Sequence, residues 1–201
     1  MDEIRIRCVS PADAGELLAI YAPYVTDTAI TFEYEVPTEE EFSRRIRNTL
    51  NRFPYLAAVC RGETQSDEIV GYAYVSPFKE RAAYDWAVET SIYVKSGEHG
   101  KGIGTLLYEV LEAVMRKQGI QNMNACIAWP NPESISFHER FGYRTVAHFT
   151  KCGYKQGRWY DMIWMEKLLG EHGDEPAPVI PYTQEMLSQV LEERKQSSER
   201  K

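Results

Sequence analysis

The stretch "SGEHGKGIGTLLYEVL", residues 96–111, carries glycines at 100, 102 and 104 where a strand-like segment gives way to a helical one. Glycine is the residue least favoured inside a helix after proline, so three of them at that junction mark a backbone shaped around something it approaches closely. A loop that leaves a strand and enters a helix presents unpaired N–H groups at the positive end of the helix dipole. An anion site is one reading and a tight turn without a ligand is the other. Two common phosphate loops do not fit: G-x-G-x-x-G needs glycine at 105, where Thr105 stands, and G-x-x-x-x-G-K-[ST] is absent.

The segments around this junction alternate between two periods. "EIRIRCV" alternates apolar and polar residues and predicts a strand, and Ser10-Pro11 offers an N-cap and a first-turn proline for a helix through "ADAGELLAIYAPYV". "PTEEEFSRRIRNTL" has Thr38 and Glu41 at capping-box spacing and Phe42, Ile46 and Leu50 on one helical face. "YLAAVC" and "IVGYAYVSPF", separated by the polar "RGETQSDE", predict a hairpin. "YDWAVETSIYV" is a longer strand that feeds the glycine loop and the helix "TLLYEVLEAVMRKQG", which ends on basic residues and Gly119. Strand "MNACIAW", helix "ESISFHERFG" and strands "YRTVAHFTK" and "RWYDMIWMEK" follow. The fold class expected is α/β, with a mixed, mostly antiparallel sheet flanked by helices and no regular βαβ repeat. One domain is expected over residues 1–169. Residues 170–201 read as a Pro-rich acidic arm with a short terminal helix, Met186, Leu187, Val190 and Leu191 standing at helical spacing, or as a partly disordered tail.

Composition narrows the function classes. The 201 residues, 43% hydrophobic and 12% aromatic, suffice for one sizeable core. A net charge of −7, a pI of about 5.2 and the absence of any Lys/Arg run argue against a nucleic-acid partner. "MDEIRIRCVS" lacks the apolar core of a secretory signal, and no apolar run nears the roughly 20 residues of a membrane helix, so a cytoplasmic protein without a membrane partner is expected. Cys8, Cys60, Cys126 and Cys152 lie far apart without C-x-x-C spacing and read as reduced, mostly core thiols, with no metal site.

The glycine stretch, as "EHGKGIGTLLYEVL", resembles the pyrophosphate-binding motif of the GNAT superfamily of N-acetyltransferases, (Arg or Gln)-x-x-Gly-x-(Gly or Ala). Gly102 and Gly104 hold the two small positions, and His99 departs from the first. "AWPNPESISFHERFGYR" is similar to the next superfamily segment. "GYAYVSPFKERAAYDWAVETSIYV", "NPESISFHERFGY", "GYKQGRWYDMIW" and "PAPVIPYT" resemble the phosphinothricin and methionine sulfoximine acetyltransferases, over roughly residues 3–183. That resemblance implies acetyl transfer from acetyl-CoA, as co-substrate, to the primary amine of a small amino acid or analogue, without a covalent enzyme intermediate. It also implies a homodimer, and the arm after Leu169, with little reason to fold back alone, points the same way.

Site roles follow by position. The resemblance implies that Ile92, Tyr93 and Val94 pair with the pantetheine amides through their backbone, and that the N–H groups of Gly100, Lys101, Gly102, Ile103, Gly104 and Thr105 cradle the pyrophosphate. Asn131 holds the cofactor from the far side. A primary amine of pKa about 10.4 arrives protonated, so a base is required. Glu89, a charged residue in the otherwise apolar and small run "AVETSIYV", is implied as that base. His138 accepts a proton from the amine or returns one to sulfur, and the sequence leaves the choice open. Lys79, Arg81 and Tyr84 in "PFKERAAYDW" suit the acidic group of an acceptor, and Phe32 resembles the aromatic floor of the same pocket. Two alternatives remain: a peptide or protein amine as acceptor, which would prefer an open groove, and a non-catalytic acetyl-CoA sensor, against which Glu89 and His138 together count.

Overall fold

The structure, a computed structural model, describes residues 4–61 and 67–199. In chain order these form β1 (Arg5–Cys8), a 3-10 turn (Pro11–Asp13), α1 (Ala14–Thr26), α2 (Glu39–Leu50), β2 (Tyr55–Arg61), β3 (Asp67–Pro77), a second 3-10 turn (Ala82–Tyr84) and β4 (Ala87–Val94). Then follow α3 (Ile103–Gln118), β5 (Asn122–Trp129), α4 (Pro132–Arg140), β6 (Arg144–Lys155), β7 (Arg158–Leu168) and α5 (Gln184–Glu199). The predicted elements are all present; of the predicted hairpin turn between β2 and β3, residues 62–66 lie outside the described residues. Among the described residues no helix is long and apolar enough to cross a membrane.

The seven strands make one sheet in the order β1-β2-β3-β4-β5-β7-β6. Every neighbouring pair is antiparallel except β4 and β5. That parallel pair is short: Ala87, Val88 and Glu89 face Asn122, Met123 and Asn124, after which β4 runs on to Val94 and β5 to Trp129 without pairing to each other. The sheet is therefore split along its middle by a cleft that opens toward the C-terminal ends of both strands.

Each face of the sheet carries its own core. On one, α3 buries Leu107, Leu111, Val114 and Met115, the i, i+4, i+7, i+8 stripe of an amphipathic helix, against Leu56, Ala73, Val75, Val88 and Met123. On the other, Leu17, Ile20 and Tyr21 of α1 and Phe42 and Ile46 of α2 cover Tyr55, Val59, Ile69 and Tyr72. Fully burying a side chain of this size stabilises the fold by about 1.5–3 kcal/mol, so both layers hold the cleft walls in place.

Three details differ from the sequence reading. Proline 11 opens the 3-10 turn, and α1 starts only at Ala14, while the Asp13 carboxylate accepts the Ser10 N–H at 2.7 Å. Half of the capping box forms: Thr38 Oγ1 accepts the Glu41 N–H at 3.2 Å, but the Glu41 carboxylate turns to Arg45 at 2.5 Å, an i,i+4 ion pair that outcompetes the backbone. The arm after Leu169 folds back on the rest of the chain, contrary to expectation. Ile180 N–H donates to Gln118 O at 3.0 Å, Tyr182 N–H to Arg52 O at 3.0 Å, and the wholly buried Gln118 amide to both Arg52 O and Ile180 O. Its terminal helix spans sixteen residues and buries Leu187 and Val190 in the α3-side core. The prolines lower the entropy lost on ordering, and the apolar stripe supplies the burial.

Candidate active site

Two cavities, of about 360 and 280 Å³, meet in the cleft and share Ile30, Ile92, Asn131 and Ser134 in their walls. The larger is lined by the end of β4, the glycine loop with the α3 N-terminus, and α4. In the β3–β4 ladder Lys95 N–H bonds Val70 O and Phe78 N–H bonds Ala87 O. By antiparallel alternation the peptide groups of Glu89, Ser91 and Tyr93 turn to β3, and those of Thr90, Ile92 and Val94 turn to the cleft. Val94 is already held by the protein: Tyr24 Oη donates to its carbonyl at 2.6 Å and accepts its N–H at 3.3 Å. His99, protonated at Nε2, donates to the same carbonyl at 3.1 Å. Of the three residues expected to pair with a pantetheine chain, Ile92 therefore fits best. Tyr93 instead packs edge-on against Tyr21 and Tyr24, at 4.9 and 5.1 Å between ring centres.

Gly102 caps the N-terminus of α3 at φ 82°, a left-handed conformation that side-chain-bearing residues adopt at a cost, and the space a Cβ would take there is open. At Gly104 a Cβ would stand 3.3 Å from the Phe137 ring and 3.4 Å from Ile92 Cδ1. The helix end thus comes close to the β4 edge, with Gly100, Ile103 and Thr105 lining the larger cavity beside it. Lys101 does not line this cavity, and its ammonium lies 2.9 Å from Glu98, which does. Arg140 of α4, which sequence reasoning missed although it lies inside "FHERFGY", lines this cavity too.

The smaller cavity is built of side chains from distant parts of the chain. Glu89 comes from β4, Cys126 from β5, Phe32 from the loop after α1, and Tyr108 and His138 from α3 and α4. Burial raises the Glu89 pKa, with the Lys79 charge partly opposing it. The Cys126 thiol is pushed up to about 12, chiefly by burial, so it stays protonated and is no nucleophile. The Phe32 loop is firmly seated. Lys155 Nζ donates to Val25 O and Thr31 O at 2.7 Å each, and Tyr21 Oη lies 2.7 Å from Thr31 Oγ1. The Phe32 ring packs against Gly153 of β6, where a Cβ would come within 2.0 Å of it.

His138, 3% exposed, has both ring nitrogens engaged: Nδ1 donates to Ser134 O at 2.8 Å, and Nε2 lies 2.8 Å from Tyr108 Oη. Burial lowers its pKa, the Ser134 carbonyl opposing, so the resting ring is neutral. Asn131 caps α4, its Oδ1 accepting the Ser134 N–H at 3.2 Å, and borders both cavities. Glu89 and His138 reach the cleft from opposite faces of the sheet, which the split between β4 and β5 alone allows. A carboxylate of raised proton affinity and a neutral imidazole thus flank one small space, an arrangement fit for moving protons to and from a reacting nitrogen.

Three expected acceptor contacts are not brought to this cavity. Lys79 is exposed, its ammonium 4.9 Å above the Phe78 ring and 5.8 Å from that of Trp164. Arg81 is exposed at the start of the Ala82–Tyr84 turn, and Tyr84 borders a separate cavity of about 630 Å³ with Phe78 and Trp86. The 3-10 turn faces these side chains outward, which their order along the sequence does not reveal.

The sheet is thus parted between two neighbouring parallel strands, with a glycine-rich helix N-terminus at the mouth of the gap. The chain matches the acetyltransferase (GNAT) domain over residues 6–164, and it belongs to that family. It is 37% identical over 167 residues to the phosphinothricin N-acetyltransferase of Streptomyces coelicolor, covering 83% of this chain and 97% of that protein. It is 31% identical over 163 residues to the L-methionine sulfoximine/L-methionine sulfone acetyltransferase of Pseudomonas aeruginosa, covering 80% and 92%. Among solved structures, that of a Sinorhizobium meliloti phosphinothricin acetyltransferase in complex with acetyl-CoA superposes with a TM-score of 0.81 at 32% identity, covering 88% of this chain and 95% of that one. Acetyl-CoA is the co-substrate of this family.

Proposed function

We propose that this protein transfers the acetyl group of acetyl-CoA to the primary amine of a small amino acid analogue of the phosphinothricin or methionine sulfoximine type, with Glu89 as the base. The observation that carries the reading is the position of Glu89: a carboxylate of raised pKa in a cavity of about 280 Å³ that opens directly into the glycine-loop cavity. The glycine cradle fits a pyrophosphate, since the loop leaves open space at Gly102 and the α3 N-terminus favours an anion. Ile92 offers its peptide to the pantetheine, and Asn131 faces it from α4. Bound acetyl-CoA supplies the acyl group. Glu89 takes a proton from the incoming ammonium and leaves a neutral amine 

able to attack, while Phe32, fixed on Gly153, bounds the acceptor.

The volume of the acceptor cavity suits a small molecule better than a peptide chain. We also propose a homodimer. Its support lies in the edge strand β6 and its neighbour β7, where Val146, Phe149 and Trp159 are 51%, 52% and 58% exposed, and no longer in the arm. A free-thiol assay with acetyl-CoA against phosphinothricin, methionine sulfoximine, free amino acids and peptides tests the activity. Release of CoA with the two analogues is expected. Turnover on peptides alone, or acetyl-CoA binding without turnover on any amine, would overturn it.

A further inference from the structure

The wall of the acceptor cavity holds a chain of polar groups that the proposed chemistry does not use. Ser134 O, His138 Nδ1, His138 Nε2, Tyr108 Oη, Thr90 Oγ1 and Asn124 O follow one another through contacts of 2.8 Å to Nδ1, 2.8 Å from Nε2 to Oη, 2.9 Å from Oη to Oγ1 and 3.0 Å from Oγ1 to the Asn124 carbonyl. Thr90, Tyr108, Ser134 and His138 all line the cavity that contains Glu89. Tyr108 and Thr90 are otherwise buried, at 1% and 7% exposure, so these contacts are what satisfies their hydroxyls.

We propose that Tyr108 and Thr90 are positioning residues that make His138 the proton-holding member of a relay, serving the acetyl transfer proposed above and resting on that reading. The support is a count of hydrogens. Both ends of the chain are carbonyls, which only accept. With a neutral imidazole the chain owns three hydrogens, on Nδ1, Tyr108 Oη and Thr90 Oγ1, for four contacts, so one contact always lacks its hydrogen. One added proton fills all four. Nδ1 then donates to Ser134 O, Nε2 to Tyr108 Oη, Oη to Thr90 Oγ1 and Oγ1 to Asn124 O, with no heavy atom displaced.

The groups that face the imidazole are the phenols of Tyr108 on α3 and Tyr143 ahead of β6, the Phe137 ring of its own helix and, across the cavity, Glu89. Burial holds both phenols well above their ordinary pKa, so the imidazole is the member that titrates. Burial also lowers the proton affinity of His138, so the added proton is held only in passing. The overall step balances. The substrate ammonium carries three protons. Glu89 takes the first, and the amine nitrogen then bonds to the acetyl carbon as the carbon–sulfur bond breaks. The nitrogen gives its second proton to the relay and keeps the third in the amide. The relay passes its proton to the sulfur, which leaves as the CoA thiol, and returns to its starting state, while Glu89 releases the first proton to solvent as the one net proton of the reaction.

Tyr108→Phe keeps the ring packing, and Thr90→Val keeps the shape, while each breaks the chain. The expected result is a fall in kcat of about 10- to 100-fold for Tyr108→Phe and a smaller one for Thr90→Val, with KM for acetyl-CoA within about two-fold and the far-UV spectrum unchanged. Thr90→Ser, which restores the hydroxyl, should recover the parent kcat. Nitrogen-15 NMR of the His138 ring gives a readout that needs no turnover: a neutral ring protonated at Nδ1 is expected, with the Nε2 signal moving toward that of an unbonded nitrogen in Tyr108→Phe. Parent-like kcat in both relay variants, or a ring protonated at Nε2 instead, would overturn the relay. If no amine is turned over but the NMR result holds, the acetyl-transfer reading fails and the chain of contacts stands.

Discussion

The two ends of the cleft are made by different means. At the mouth the wall includes a strand edge and a helix end, at Ile92 of β4 and at Gly102 and Gly104 of α3. Two polar side chains of the same wall, Tyr24 and His99, spend polar atoms on the protein's own Val94 peptide. In the depth the surfaces are side chains, Glu89, His138, Tyr108 and Phe32, drawn from both faces of the sheet and four separate elements or loops. A site made of peptide groups depends on conformation and tolerates change in the side chains around it, so His99 in place of the Arg or Gln of the resembled motif is compatible with the proposed cradle. A side-chain site changes its chemistry or its fit with a single residue.

Four substitutions test that contrast. The largest effect belongs in the depth. Glu89→Gln keeps the shape and loses the proton acceptor, so kcat should fall at least ten-fold, toward the 10²- to 10⁴-fold typical of a lost general base, with the acetyl-CoA Kd unchanged by calorimetry. An unaltered pH profile would remove Glu89 from the role. At the mouth, Gly102→Ala forces a side-chain-bearing residue to hold φ 82°, at about 1–2 kcal/mol. The acetyl-CoA Kd should weaken by about 5- to 30-fold, at 1.4 kcal/mol per ten-fold, while kcat at saturation stays near that of the parent.

Smaller effects separate the acceptor end further. Gly153→Ala places a methyl group where the Phe32 ring lies, so the acceptor KM should rise by several-fold while the acetyl-CoA Kd does not move. An unchanged KM would mean that Phe32 does not touch the acceptor. The subtlest is Lys79→Met. The Lys79 charge favours the Glu89 carboxylate, so removing it raises the Glu89 pKa further, and the acid limb of the kcat/KM profile should move to higher pH. A shift to lower pH would contradict the sign.

The mouth was legible in the sequence because its logic is local. Gly102 and Gly104 follow a strand and open a helix within one short stretch, and the 3.6-residue period of α3 predicts its buried face. The depth was legible only at Glu89, where a charge interrupts an apolar strand, and at His138 and Phe32 through family resemblance. Tyr108 reads as one more apolar position of α3, and Thr90 as a strand residue. Their contact with His138 exists only because β4, α3 and α4 converge, and no spacing along the chain encodes that. Lys79, Arg81 and Tyr84 show the reverse error: residues of suitable chemistry whose loop aims them away from the cavity. The arm after Leu169 displayed its apolar stripe plainly, but the surface that would receive it, around Gln118 and Arg52, is assembled from residues more than 60 positions away.

The most direct test of the cleft as the transfer site is a crystal structure of the protein with acetyl-CoA. The expected result has the pyrophosphate on the N–H groups of residues 100–105, the pantetheine chain beside the Ile92 peptide, and the acetyl carbon in the space between Glu89 on one side and Tyr108 and His138 on the other. A cofactor seated outside the gap between β4 and β5, or an acetyl group that points away from Glu89, would contradict it.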